Sequence, residues 1–196
     1  MNHKNILILD NATKSQIVIL VIQGKITTFK SRLGKNDYVP YMIPSIESVL
    51  QENNLGINNL DALIVGVGPG SYTGTRVAVL TAKMLAFNLK IPLYQISSLL
   101  LLSSGYSYAS LTPLIDARSN AFFALSLKDN HICLTEGRFE SNFLKSFPNH
   151  LLIEPTAIKI DLRTIKEFAK IVSNPHLLIP NYLTKTQAER NLEKID

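Results

Sequence analysis

The stretch Gly66-Val67-Gly68-Pro69-Gly70-Ser71-Tyr72-Thr73-Gly74 gathers four of the chain's nine glycines. An apolar run, Ala62-Leu63-Ile64-Val65, precedes it, and an apolar helical pattern follows from Thr75. Strand, Gly/Ser/Thr loop, helix is the order in which α/β proteins present backbone N–H groups to an anion. Glycine permits positive φ and close backbone approach, and a helix N-terminus adds partial positive charge. Gly68, Gly70, Ser71, Thr73 and Gly74 are therefore candidate anion contacts. A tight strand-to-helix turn that binds nothing has the same pattern. The loop is neither GxGxxG nor a Walker loop, because no Lys follows Gly74.

With 196 residues, 46% hydrophobic and 18% charged, the chain has material for one large domain or two small lobes. Cys133 is the single cysteine, so no internal disulfide forms, which fits a reducing compartment. The apolar run after Met1-Asn2-His3-Lys4-Asn5 is too short for a signal segment, and Leu99 to Leu102 is too short to span a bilayer. The expectation is a soluble, cytoplasmic protein without a membrane partner. Formal charge is +5, with a local cluster at Lys25, Lys30, Arg32 and Lys35. That cluster is either a solvated hairpin face or a weak contact for an anionic partner such as RNA.

Along the chain, Asn5–Asp10, Ser15–Ile22 and Lys25–Arg32 read as strands, the last two joined at Gln23-Gly24. Asp37 stands where a helix N-cap is expected, and apolar positions Tyr38, Tyr41, Met42, Ile46, Val49 and Leu50 carry the helix to about Asn53. Pro44 lies inside it. Asp61–Gly66 reads as a buried strand, Thr75–Leu89 as a helix, Pro92–Ile96 as a strand and Ser97–Ser104 as a short helix. After a polar spacer the pattern restarts, with strands at Leu111–Ile115, Ala121–Lys128 and His131–Phe139. Helix Asn142–Phe147, strand Leu151–Glu154 and helix Leu162–Val172 follow. Each half opens with a strand carrying an acidic residue near its end, Asp10 and Asp116. The expected architecture is an α/β protein of two related lobes with mixed sheets. Residues 1–104 form the first, and 105–196 the smaller second, whose last segment is free to pack back on the first.

The helix from Thr75 to Leu89 has only Arg76 and Lys83 as charged residues. A helix apolar nearly all round is covered on every side. A second lobe, another chain or a wholly internal position each satisfies that requirement, and the Tyr/Met-rich helix after Asp37 can share the outward face.

Several chemistries lack their residues. His3, His131, His150 and His176 are far apart and none sits at a metal-ligand spacing. There is no G-x-S-x-G elbow. Ser71 has no nearby His in sequence, and Asp10 with Asp116 is either a carboxylate pair across a cleft or two turn-capping residues.

The segment Gly68-Pro69-Gly70-Ser71-Tyr72-Thr73-Gly74-Thr75-Arg76 closely resembles the GPGSFTGLR signature of the TsaB (YeaZ) family. Ile6 to Thr13 resembles that family's ILAIDTST-like start, and Met42-Ile43-Pro44-Ser45-Ile46-Glu47 its LLPxID segment. Ile96-Ser97-Ser98-Leu99 resembles VSSL, Pro113 to Arg118 the DAR strand, and Pro180-Asn181-Tyr182-Leu183 the PxYLR ending. The resemblance implies an actin/Hsp70/sugar-kinase-like fold of two ribonuclease-H-like lobes. It also implies a non-catalytic scaffold beside TsaD, the paralogue that transfers a threonylcarbamoyl group to the adenosine 3′ of the anticodon in ANN-decoding tRNAs. The ATPase TsaE is a further implied partner, and tRNA is met through the complex. The two first-lobe helices are the implied surface for TsaD, or for a second copy of the chain when free. On that reading Tyr38, Tyr41, Met42, Ser45, Arg76, Leu80, Lys83, Met84 and Phe87 form the interface. The HxxxH of TsaD-like proteins falls on Ser98 and Leu102 here, Ala12 stands where the superfamily has a phosphate-loop Gly, and the second lobe has only Gly105 and Gly137. The resemblance thus implies no catalytic residue, metal or cofactor in this chain, with ATP and metal on partner subunits. The alternative is a stand-alone ATP-dependent or peptidase-like enzyme of the same fold. One departure is Tyr38-Val39-Pro40 where many family members have His-Ser-Glu.

Overall fold

A computed structural model describes residues 3–35, 37–107 and 109–183. The chain starts as an antiparallel meander of β1 (Asn5–Asp10), β2 (Ser15–Ile22) and β3 (Lys25–Leu33). Gln23 and Gly24, both at positive φ, make the two-residue turn between β2 and β3, as the right-handed strand twist favours. Helix α1 (Tyr38–Glu52) leads to β4 (Ala62–Gly66), and α2 (Tyr72–Leu89) to β5 (Leu93–Ile96). Strand β4 adds in parallel beside β1, and β5 in parallel beside β4. Ile6 to Leu9 and Ala62 to Val65 are wholly buried, because this sheet is covered on both faces. One face packs on α1 and α2 through Leu7, Leu9, Met42, Ile46, Ala78 and Ala82. The other, with Ile6, Ile8, Ile17 and Ile64, meets α3 (Ser98–Leu102) and the second sheet.

The second sheet repeats the plan. Strands β6 (Ser110–Asp116), β7 (Ala121–Lys128) and β8 (His131–Glu140) form a meander, and β9 (His150–Leu152) adds in parallel beside β6. With β10 (Lys170–Ile171) at the edge of the first sheet, the orders are β10-β5-β4-β1-β2-β3 and β8-β7-β6-β9. In each, the first strand of a meander takes a later parallel strand on its free side. Helix α4 (Ser141–Leu144) covers the outer face of the second sheet through Leu144, with Phe139 and Phe147 beside it.

Three helix boundaries differ from the expected ones by three residues or more. Helix α2 starts a turn before Thr75, because the Ser71 hydroxyl accepts the Gly74 N–H and caps it. Helix α5 (Leu162–Phe168) stops short of Val172. The following Lys170–Ile171 forms β10 against β5, and Val172 N–H donates to the Leu93 carbonyl, so the open sheet edge captures this segment. Helix α4 likewise ends at Leu144, before the expected Phe147. Asp37 does precede α1, but its side chain caps nothing in the helix. The end of the expected second lobe, 184–196, lies outside the described residues.

Candidate functional site

The glycine loop runs from the end of β4 into α2 and lies against the β1–β2 turn. Ser71 N–H donates to the Ala12 carbonyl at 2.6 Å, Gly68 N–H to Ser98 Oγ at 3.0 Å, Gly74 N–H to Ser71 Oγ at 3.2 Å and Thr75 N–H to the Ser71 carbonyl at 2.9 Å. A Cβ at Gly70 would lie 2.1 Å from the Ala12 carbonyl oxygen, and one at Gly74 2.1 Å from that of Asn11. These glycines let two stretches of the same chain approach each other. The N–H groups of Gly68, Ser71, Gly74 and Thr75 are thus spent within the protein, and Asn11 and Ala12 pack closely over Gly70 and Gly74. Thr73 is exposed on the first turn of α2.

Asp10 ends β1 in a wholly buried position. Its carboxylate accepts from Ser98 Oγ at 2.5 Å and from Ala12 N–H at 2.8 Å. Burial pushes its pKa up to about 6, and the bonds from Ser98 and Ala12 hold it from rising further. Asp116 ends β6 exposed to solvent, where its carboxylate accepts from Arg118 N–H at 2.8 Å. Each Asp thus caps a turn two residues on, in corresponding places of the two meanders, one buried and one in water. Ser98 and Leu102, in the register of a metal-ligating pair, are both buried in α3. Among the described residues no cluster of three His, Cys, Asp or Glu could hold a metal ion.

The outward side of the helices is open. Leu80, Met84 and Phe87 are 57%, 56% and 58% exposed on successive turns of α2, Arg76 is exposed one turn earlier, and Val39, Tyr41 and Ile43 are exposed on α1. Two residues expected at this interface face the other way. Met42 is packed in the core beneath α1, and Tyr38 is buried with its hydroxyl donating to the Thr13 carbonyl. The 3.6-residue period brings both onto the stripe that also carries Ile46 and Val49. Ser45 is half-buried. Two of the four residues in the basic cluster after Gly24 are paired within the chain: Lys30 with Glu52, and Arg32 with Asp37, whose carboxyl it holds down at about 2.

Residues 174–183 form a strap across α2 that periodicity did not reveal, since short irregular segments carry no period. Lys83 Nζ donates to the His176 and Leu178 carbonyls, each at 2.9 Å. Phe87 meets the His176 ring edge-on, and Leu178 is buried in the core under α2. Arg76 Nε donates to the Tyr182 hydroxyl at 2.8 Å, while its guanidinium lies over the Tyr72 ring. Asn181 N–H donates to the Val67 carbonyl. Its side-chain amide and the Ser97 hydroxyl both donate to Glu136 of β8, whose pKa burial raises. Pro180-Asn181-Tyr182-Leu183, a motif in the sequence, is thus where the glycine loop, α2 and the second sheet are tied together.

A family model described as TsaD, tRNA N6-adenosine threonylcarbamoyltransferase, matches residues 32–138, from β3 into β8. The chain belongs to that family. Curated relatives that it matches include TsaB proteins. That of Haemophilus influenzae is 32% identical over 127 residues, covering 63% of this chain and 53% of the relative. That of Bacillus subtilis is 38% identical over 104 residues, covering 52% and 45%. The chain spans about half the length of these relatives. A solved Pseudomonas aeruginosa structure, described as similar to peptidase YEAZ, superposes with a TM-score of 0.74 at 20% identity over 92% of this chain and all of that one. YeaZ from the same organism gives 0.61 at 24% identity, over 70% and 69%. The resemblance to TsaB (YeaZ) and the expected α/β fold with two mixed sheets are borne out. Among the described residues no helix is long and apolar enough to cross a membrane.

Proposed function

We propose that this chain is a non-catalytic subunit in the formation of threonylcarbamoyladenosine in tRNA, and that it acts by docking TsaD on the outward face of α2 with α1 beside it. The observation that carries this reading is the row of Leu80, Met84 and Phe87 left exposed on a helix whose opposite side is core. An apolar row of this kind on a surface helix marks a protein contact. The closed glycine loop supports the non-catalytic part, because Ser71 is spent as a helix cap and Asp10 and Ser98 are bonded to each other out of solvent. The names of the TsaB relatives support the process. TsaE, ATP and a metal ion belong on this reading to the partner subunits, and tRNA is met through the assembly in the cytoplasm.

The test is reconstitution with TsaD, TsaE, ATP, threonylcarbamoyl-adenylate and unmodified tRNA, each component omitted in turn. Modification should vanish without this chain, and the chain alone should neither modify tRNA nor hydrolyse ATP. Full modification in its absence, or hydrolysis by the isolated chain, would favour the enzyme reading.

A further inference from the structure

Between Asp10 and Asp37 the sequence has no Asp or Glu but five cations, Lys14, Lys25, Lys30, Arg32 and Lys35. The fold gathers them in and beside the β2–β3 hairpin, whose second strand is the last of the six-stranded sheet. Among the described residues no strand pairs with the free side of β3. This edge is separate from the open face of α2, because α1 lies over β2 and β3 whereas α2 lies over β4, β1 and β5.

The register decides which backbone groups point outward. Gly34 N–H donates to the Lys14 carbonyl at 2.8 Å, and Ser15 to Leu20 stand opposite Leu33 to Thr28. In an antiparallel pair, bonded and non-bonded positions alternate. Thr28, Lys30 and Arg32 therefore bond β2, while Phe29, Ser31 and Leu33 turn their N–H and C=O groups to the free side. The same three residues are exposed, Phe29 by 44% and Leu33 by 63%, on the sheet face that β2 fills with Ile17 and Ile19. The run Thr28–Leu33 contains neither proline nor bulge. On its other face Lys30 is paired with Glu52 and Arg32 with Asp37. Lys25 at one end of the strand, and Lys14 and Lys35 at the other, are exposed and belong to no ion pair among the described residues.

We propose that the free edge of β3 takes an extended segment of a partner protein, added as a further strand, in which apolar residues alternate with acidic ones. Backbone bonds supply the affinity in strand addition, and alternate side chains supply the choice of segment. Here the apolar side chains of the segment share a face with Phe29 and Leu33, and its carboxylates meet a hairpin that carries only cations. A second copy of β3 is a poor occupant, since a two-fold pairing sets the cations of one hairpin against those of the other. A phosphate backbone accepts and does not donate, so it leaves the outward carbonyls of Phe29, Ser31 and Leu33 without partners. The inference is independent of the docking role proposed for α2.

The probe is a short capped peptide alternating valine with glutamate, compared with one alternating valine with lysine. Amide hydrogen exchange of the full chain, read residue by residue by NMR, should slow severalfold at Phe29, Ser31 and Leu33 with the glutamate peptide. It should stay as it is with the lysine peptide. The protection should fall as salt rises. Ser31→Pro removes an outward N–H and no ladder bond, and should abolish the protection with unchanged thermal unfolding. Should that variant unfold, Lys25→Glu combined with Lys35→Glu, both at exposed positions, takes its place and should weaken the protection severalfold. Equal protection by both peptides, protection by neither, or undiminished protection in the variants would overturn the inference. Protection of these amides by unmodified tRNA in place of the peptide would make the edge an RNA surface, and a dimer lost in Ser31→Pro would give it to a second copy; either overturns the inference.

Discussion

Asp10 and Gly74 are the residues on which the first lobe's closed end depends. Asp10 is buried with a pKa of about 6, against 3.8 for an ordinary Asp. The native protein therefore holds the Asp10 proton more tightly than the unfolded chain does. The stabilisation from that proton is fully present below about pH 3.8 and is lost as pH rises through about 6. The difference amounts to something on the order of 3 kcal/mol. Asp10→Asn removes this titration. Urea unfolding of the two proteins at a series of pH values should give a steeper fall in stability for the unaltered chain between those limits than for the variant. Parallel curves would mean that Asp10 does not titrate there. Gly74→Ala sets a methyl against the Asn11 carbonyl, where backbone rather than a flexible side chain must give way. It should lower stability by about 1–3 kcal/mol or more, as read by the urea midpoint. An unchanged midpoint would show that the β1–β2 turn moves freely away from α2.

At the scale of elements, α1 and α2 divide into a core side and an open side, and methionines on the two sides separate them. Met42 is buried and Met84 exposed. Met42→Ala should cost about 2–5 kcal/mol through the cavity it leaves. Met84→Ala should change stability by no more than about 0.5 kcal/mol. Met84→Glu and Leu80→Glu should keep the unfolding transition while abolishing capture of TsaD in size-exclusion chromatography. Co-elution of both variants with TsaD would remove the helix face from the interface. The periodic elements were legible in the sequence: β1, β2 and β7 begin and end as their apolar runs do. Leu80, Met84 and Phe87 could be assigned outward because α2 has more apolar positions than one core face can use. Tyr38 and Met42 were assigned outward wrongly, since residue type does not say which side of an amphipathic helix faces the sheet; their spacing with Ile46 and Val49 did. The end of α5 was illegible for another reason. Lys170 and Ile171 become a strand only because β5, far away in sequence, offers them an edge.

At the scale of the molecule, the strap adds polar ties between two sheets that already share a core. Its hydrogen bonds reach the glycine loop through Asn181, α2 through Tyr182 and the carbonyls under Lys83, and the second sheet through Glu136. Glu136 is the point where this arrangement is vulnerable, because its carboxylate receives both the Ser97 hydroxyl from the first lobe and the Asn181 amide from the strap. Glu136→Ala leaves both donors in a half-buried place without their acceptor. A donor stranded in this way costs about 1–3 kcal/mol. The cost falls on the junction and not on the sheets, since β1, β4 and β7 keep every ladder bond. Amide hydrogen exchange should therefore quicken at Asn181 and its neighbours in Glu136→Ala, with the strands of both sheets protected as before. Glu136→Gln, which retains an acceptor oxygen for one of the two donors, should fall between. Uniform exchange across the whole chain would mean that the strap and the sheets unfold as one unit, and that Glu136 supports global stability rather than the placement of the strap.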